Sequence, residues 1–78
     1  MVTIKIGFQI LNVDPEDIIK IQFYWEAGLN SNTDYWIDFH LRTGYKWSFF
    51  IGNIKEIAQQ LYQQTIDKIF NDITIIAQ

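Results

Sequence analysis

Residues 35–51, YWIDFHLRTGYKWSFFI, read as an antiparallel hairpin whose two faces can be told apart. Tyr35, Ile37, Phe39, Leu41, Tyr45, Trp47, Phe49 and Ile51 form a wholly apolar or aromatic row, and Trp36, Asp38, His40, Arg42, Lys46, Ser48 and Phe50 alternate with them. Successive side chains of a strand point to opposite faces, so the first row turns toward a core and the second away from it. The connection fixes the register. A two-residue turn at Thr43 and Gly44 would set Arg42 opposite Tyr45 and mismatch the faces, whereas a three-residue loop, Arg42 to Gly44, keeps Leu41 opposite Tyr45. Such a loop needs positive φ at its last position, which Gly44 supplies. The same register pairs Phe39 with Trp47 inside and Trp36 with Phe50 outside.

Working outward, Val2, Ile4, Ile6, Phe8 and Ile10 alternate with Thr3, Lys5, Gly7 and Gln9, which predicts a first strand over residues 2–10. Asp14, Pro15, Glu16 and Asp17 follow; Pro after Asp suits the second position of a type I turn. A second strand is expected from Ile18 to Ala27, with Ile19, Ile21, Phe23, Trp25 and Ala27 inward. If Val13 faces Ile18 across that turn, Phe8 faces Phe23, Ile6 faces Trp25, Lys5 faces Glu26, and Tyr24 covers Gly7. This register leaves Leu11, Val13 and Ile18 on the outer side. Gly28 to Asp34 is the loop into the hairpin.

Gly52 ends the sheet, and Asn53 with Glu56 has the spacing of a capping box for a helix starting at Ile54. Ile54, Ile57, Ala58, Leu61, Thr65, Ile66, Ile69 and Ile73 recur at helical spacing opposite a glutamine-rich face. Ile73 to Ala77 is β-branched enough for a short fifth strand beside the first, and equally suits a further turn of helix. The expected architecture is one α+β domain, residues 1–78: a four-stranded antiparallel meander in order 1-2-3-4 with the C-terminal helix on its apolar face.

Composition narrows the function classes. A domain of 78 residues hides only about 60% of the surface of its unfolded chain. The sequence has no cysteine to staple it, so the 17% of aromatic residues must carry the packing. Absence of cysteine fits a reducing cytoplasm. No basic start with an apolar run predicts a signal peptide, and no apolar stretch approaches the ~20 residues of a membrane span. Abundant isoleucine, asparagine and glutamine suggest the codon bias of an AT-rich microbial or viral genome. A single histidine and the absence of cysteine and of a glycine-rich phosphate loop argue against a metal site, a cofactor and most catalytic kits.

The outer row holds what remains. Asp38, His40 and Arg42 alternate along one strand, with roughly 7 Å between neighbours, a spacing that suits a shared ligand better than a direct hydrogen bond. Mixed charge on a solvated strand is the ordinary explanation of such a row. The chain is acidic, with net charge −3, yet Lys5, Lys20, Arg42 and Lys46 all map to this outer face. With Tyr24, Trp36 and Phe50 they interleave cations and aromatics as single-strand nucleic-acid binders do, although the acidic total is a poor footprint for phosphate. One helix covers one face of a sheet, so these aromatics need another partner to leave water. The sequence therefore predicts a non-enzymatic interaction module of inhibitor, immunity or accessory-subunit type. It would bind a protein partner or itself as a homodimer through Tyr24, Trp36, Asp38, His40, Arg42, Lys46 and Phe50. Single-stranded nucleic-acid binding by the same residues is the alternative, and an enzyme built on Asp38 and His40 comes third.

Overall fold

The computed structural model describes residues 1–77, with side chains through residue 69. Five strands and one helix follow in chain order: β1 (Val2–Ile6), β2 (Gln9–Val13), β3 (Ile18–Ala27), β4 (Thr33–Leu41), β5 (Lys46–Gly52) and α1 (Lys55–Ala77). The fold is α+β, but its strands form two antiparallel sheets, a β1-β2 hairpin and a three-stranded sheet in the order β3-β4-β5.

The expected four-stranded meander is thus corrected at its first strand. Residues 2–10 do not run straight. They turn back at Gly7 and Phe8, and Ile6 pairs with Gln9, Ile4 with Leu11 and Val2 with Val13. Gly7 has φ 62, the positive φ that a II′ hairpin turn requires at its first central position. The apolar row consequently changes phase, from even positions in β1 to odd positions in β2. Leu11 and Val13, expected outside, are buried, and Phe8 is fully exposed at the tip. The Lys5 to Glu26 and Gly7 to Tyr24 pairings do not form: Lys5 sits opposite Ile10, and Glu26 opposite Asp34. Ile18, also expected outside, packs half-buried against the core.

From Trp36 to Phe50 the hairpin forms in the expected register, and at Tyr35 the register shifts so that Tyr35 pairs with Gly52. Leu41 N–H donates to Tyr45 O at 2.8 Å, Gly44 N–H donates to Leu41 O at 2.9 Å, and Gly44 has φ 89. Trp36 pairs with Phe50 and Phe39 with Trp47. The inward row is not buried throughout: Ile37, Phe39, Phe49 and Ile51 are, whereas Tyr45 and Trp47 at the loop end stay exposed.

Both α1 and the β1-β2 hairpin pack on the inner face of the larger sheet. Val2, Ile4, Leu11 and Val13 join Ile37, Phe39, Phe49, Ile51, Ala58 and Ile69 in one core. Lys68 Nζ ties α1 to the hairpin by donating to Thr3 O at 2.8 Å. Gln9 closes the free edge of β5 with its side chain. Its Nε2 donates to Phe50 O, and Phe50 N–H donates to its Oε1, both at 2.8 Å, so one amide imitates a paired strand residue.

Two details at the helix ends also differ from expectation. Asn53 does not close a capping box; its Nδ2 donates to Asp34 Oδ1 at 2.6 Å and to Thr33 O at 3.1 Å, binding the end of β5 to the start of β4. The first helical bond runs from Ala58 N–H to Ile54 O, so α1 starts one residue later than predicted. At the other end the backbone of Ile73 to Ala77 continues α1 and forms no fifth strand. The edge such a strand would have joined, that of β1, lies in a separate two-stranded sheet.

Candidate functional site

The outer face of the larger sheet is organised by its registers into four cross-strand rows. Lys20, His40 and Lys46 form the first, and Gln22, Asp38 and Ser48 the second. Tyr24, Trp36 and Phe50 form the third, and Glu26 with Asp34 the fourth. The face therefore grades from basic through polar and aromatic to acidic over four steps. A depression of about 440 Å3 is lined by Gln22, Tyr24, Glu26, Trp36, Asp38, His40, Lys46 and Ser48.

Tyr24, Trp36, Asp38, His40 and Lys46 are thus brought together. Phe50 lies beside them, its ring edge-on to Trp36 with centroids 5.2 Å apart at 64°. Arg42 is not among them. Its Nη2 donates to Glu16 O at 2.6 Å and its Nε lies 3.8 Å from Asp17 Oδ1, because Arg42 falls past the end of β4 in the connecting loop. Lys5 is carried away with the β1-β2 hairpin, so the cations of this face contract to Lys20 and Lys46, on either side of His40. Gln22 and Ser48 enter the lining instead as the register neighbours of Asp38, and Glu26 enters it from the row that pairs with Asp34.

The chemistry of the depression is polar at its base. Asp38 is only 6% exposed, flanked by Gln22 and Ser48. Trp36 Nε1 and His40 Nε2 are both buried without a hydrogen-bond partner. An unpaired buried donor costs free energy on the order of 1–3 kcal/mol, a local cost that the indole N–H of Trp36 carries in the folded chain. Tyr24 OH donates to Glu26 Oε2 at 3.3 Å. The Glu26 carboxylate, by its charge first and then by this bond, holds the Tyr24 phenol above its usual ionisation range, with smaller contributions from burial and Asp38. A phenol whose folded value is raised contributes stability that is present below the ordinary tyrosine value and lost as pH rises through the folded one. Phenolate absorbance, taken as wild type minus Tyr24→Phe, is expected to appear at higher pH than for a free tyrosine. Glu26→Gln is expected to move it back down; an unmoved titration would mean that the carboxylate does not act on the phenol.

Among the described residues, no group of three or more His, Asp or Glu side chains is placed to hold a metal ion, and no helix is long and apolar enough to cross a membrane. Comparison with protein-family models, curated proteins and solved structures gives no match for this chain.

Proposed function

We propose that this chain is a small non-enzymatic interaction module that docks a protein partner on the outer face of β3, β4 and β5, as inhibitors, immunity factors and accessory subunits do. The observation that carries the reading is the depression itself. It sets the aromatic rings of Tyr24 and Trp36 beside charged and polar side chains on the face of the larger sheet that neither α1 nor the β1-β2 hairpin covers. Tyr24, Trp36 and Phe50 provide the desolvated anchors that dominate protein interfaces. Asp38, His40 and Lys46 provide a polar surround, and the basic-to-acidic grading favours one orientation of the partner. The cysteine-free composition suits a cytoplasmic setting.

Trp36→Ala is expected to weaken partner binding by about 2 kcal/mol or more, roughly thirtyfold, in calorimetric titration against the purified partner. A folded Trp36→Ala variant that keeps every interaction of the wild type would overturn the proposal. Single-stranded nucleic acid is the second reading, favoured by the row of Lys20, His40 and Lys46 beside the aromatic row. It is weakened by Asp38 between those rows and by the edge-on contact of Trp36 and Phe50, which offers no pair of parallel rings for stacking. That reading requires oligonucleotide binding that falls steeply with salt and is lost on Lys20→Glu/Lys46→Glu.

A further inference from the structure

The two edges of the larger sheet are treated differently. The β5 edge is occupied at Phe50 by the Gln9 amide. The ten residues of β3 carry no proline, and the strand has a sheet neighbour on one side only. The regular part of this edge, from Lys20 to Ala27 beyond the register shift between Ile18 and Lys20, is a template for another strand. We propose that β3 pairs antiparallel with β3 of a second copy, about a two-fold axis at Phe23, joining two three-stranded sheets into one of six strands.

The register follows from charge. With Phe23 opposite its own copy, Lys20 meets Glu26 of the second chain at both ends of the ladder, and Gln22 meets Tyr24. Shifting the axis by one residue either way leaves both charges opposite neutral positions. On the inner face the same register sets Ile21 opposite Trp25 of the second copy. Trp25 is 62% exposed in the single chain, a poor position for a tryptophan on the inward side of a strand. Beside Ile21 lies a mostly apolar groove of about 330 Å3 between β3 and α1, lined by Pro15, Ile18, Ile19, Ile21, Ile66 and Ile69 together with Lys20. Each Trp25 is therefore delivered to the groove of the other chain, and the exposed Ile19 is covered with it. Tryptophan seated in a pocket is among the commonest kinds of binding anchor. The pairing is independent of the outer-face docking surface. It leaves that surface open and makes it continuous across both copies.

Light scattering and oxidative cross-linking test the interface, with circular dichroism to check the fold of each variant. Wild type is expected to be a dimer at high micromolar concentration, and Trp25→Ala a folded monomer. Lys20→Glu places two like-charge pairs in the ladder and is expected to raise the dimer dissociation constant about tenfold. Adding Glu26→Lys to it is expected to restore the wild-type value. Lys20→Cys/Glu26→Cys is expected to give a covalent dimer on mild oxidation, and Lys20→Cys alone to give none. Positions 20 and 26 of one chain lie roughly 20 Å apart along the strand, so no bond forms within a chain. The cross-link is read together with Trp36→Asp, because an edge-paired dimer survives that substitution whereas a dimer paired through the outer faces does not. A monomeric wild type overturns the proposal, as does a dimer that Trp36→Asp dissociates and the cysteine pair fails to cross-link. Neither result bears on docking at the outer face by a different protein.

Discussion

Truncation of Phe39 to alanine is expected to leave most of the chain unfolded at room temperature. Phe39 sits near the middle of the central strand β4 and has no exposed surface. Its ring meets Phe49 edge-on, with centroids 5.5 Å apart at 67°, beneath the layer formed by α1 and the β1-β2 hairpin. Phe→Ala in a core costs about 3–5 kcal/mol, the lost transfer energy plus the cavity left behind. A single core of this size supplies roughly 3–5 kcal/mol in all. The two quantities cancel, with no disulfide to hold what remains. Urea titration followed by circular dichroism is the direct check. A cooperative transition with a midpoint near that of wild type would show that Phe39 is not central to the core.

The central place of Phe39 is legible in the sequence because the β4-β5 hairpin is a local object. The stretch from Tyr35 to Ile51 carries both rows and their turn, and the match of faces selects the three-residue loop whose positive φ Gly44 supplies. The rows of the candidate site follow from the same register, so alternation and loop length alone pair Trp36 with Phe50 and His40 with Lys46. Arg42 illustrates the limit of alternation. It continues the series Asp38, His40 by spacing, but the strand ends at Leu41 and the guanidinium turns back to Glu16 and Asp17. The depression is not legible in the same way, since it takes side chains from all three strands of the larger sheet and depends on how β3 pairs, which the sequence reading misplaces on its other side.

The N-terminal hairpin is hidden for a different reason. Val2, Ile4, Ile6, Phe8 and Ile10 hold an unbroken period of two straight through a turn, because the side chains at the tip and just beyond it are apolar although exposed. Gly7 then reads as a glycine inside a strand. The competing hairpin needs only two turn residues, and it buries Leu11 and Val13, which the straight strand would have left outside. Once β1 pairs with β2, the strand from Ile18 to Ala27 loses its expected neighbour. The open β3 edge and the stranded Trp25 are both consequences of that one turn.

Two substitutions on the hairpin are expected to divide sharply. Leu11→Ala is expected to destabilise by about 2–5 kcal/mol, as for other leucines cut back in a core, and so to remove most of the stability available. Leu11 is 7% exposed, opposite Ile4, and packs in the same cluster as Phe39 and Phe49. Phe8→Asp is expected to change stability by no more than about 0.5 kcal/mol, the usual range for a surface site. Phe8, at 104% exposure on the tip of the turn, has nothing to lose on becoming charged. A straight first strand demands the opposite order. Phe8 would then face Phe23 in the interior, where an unpaired carboxylate costs several kcal/mol, and Leu11 would lie on the solvent side. Urea midpoints of the two variants therefore decide between the arrangements. Strong destabilisation by Phe8→Asp with little effect of Leu11→Ala would return β1 and β2 to a single strand beside β3, and with it close the edge on which pairing of two copies depends.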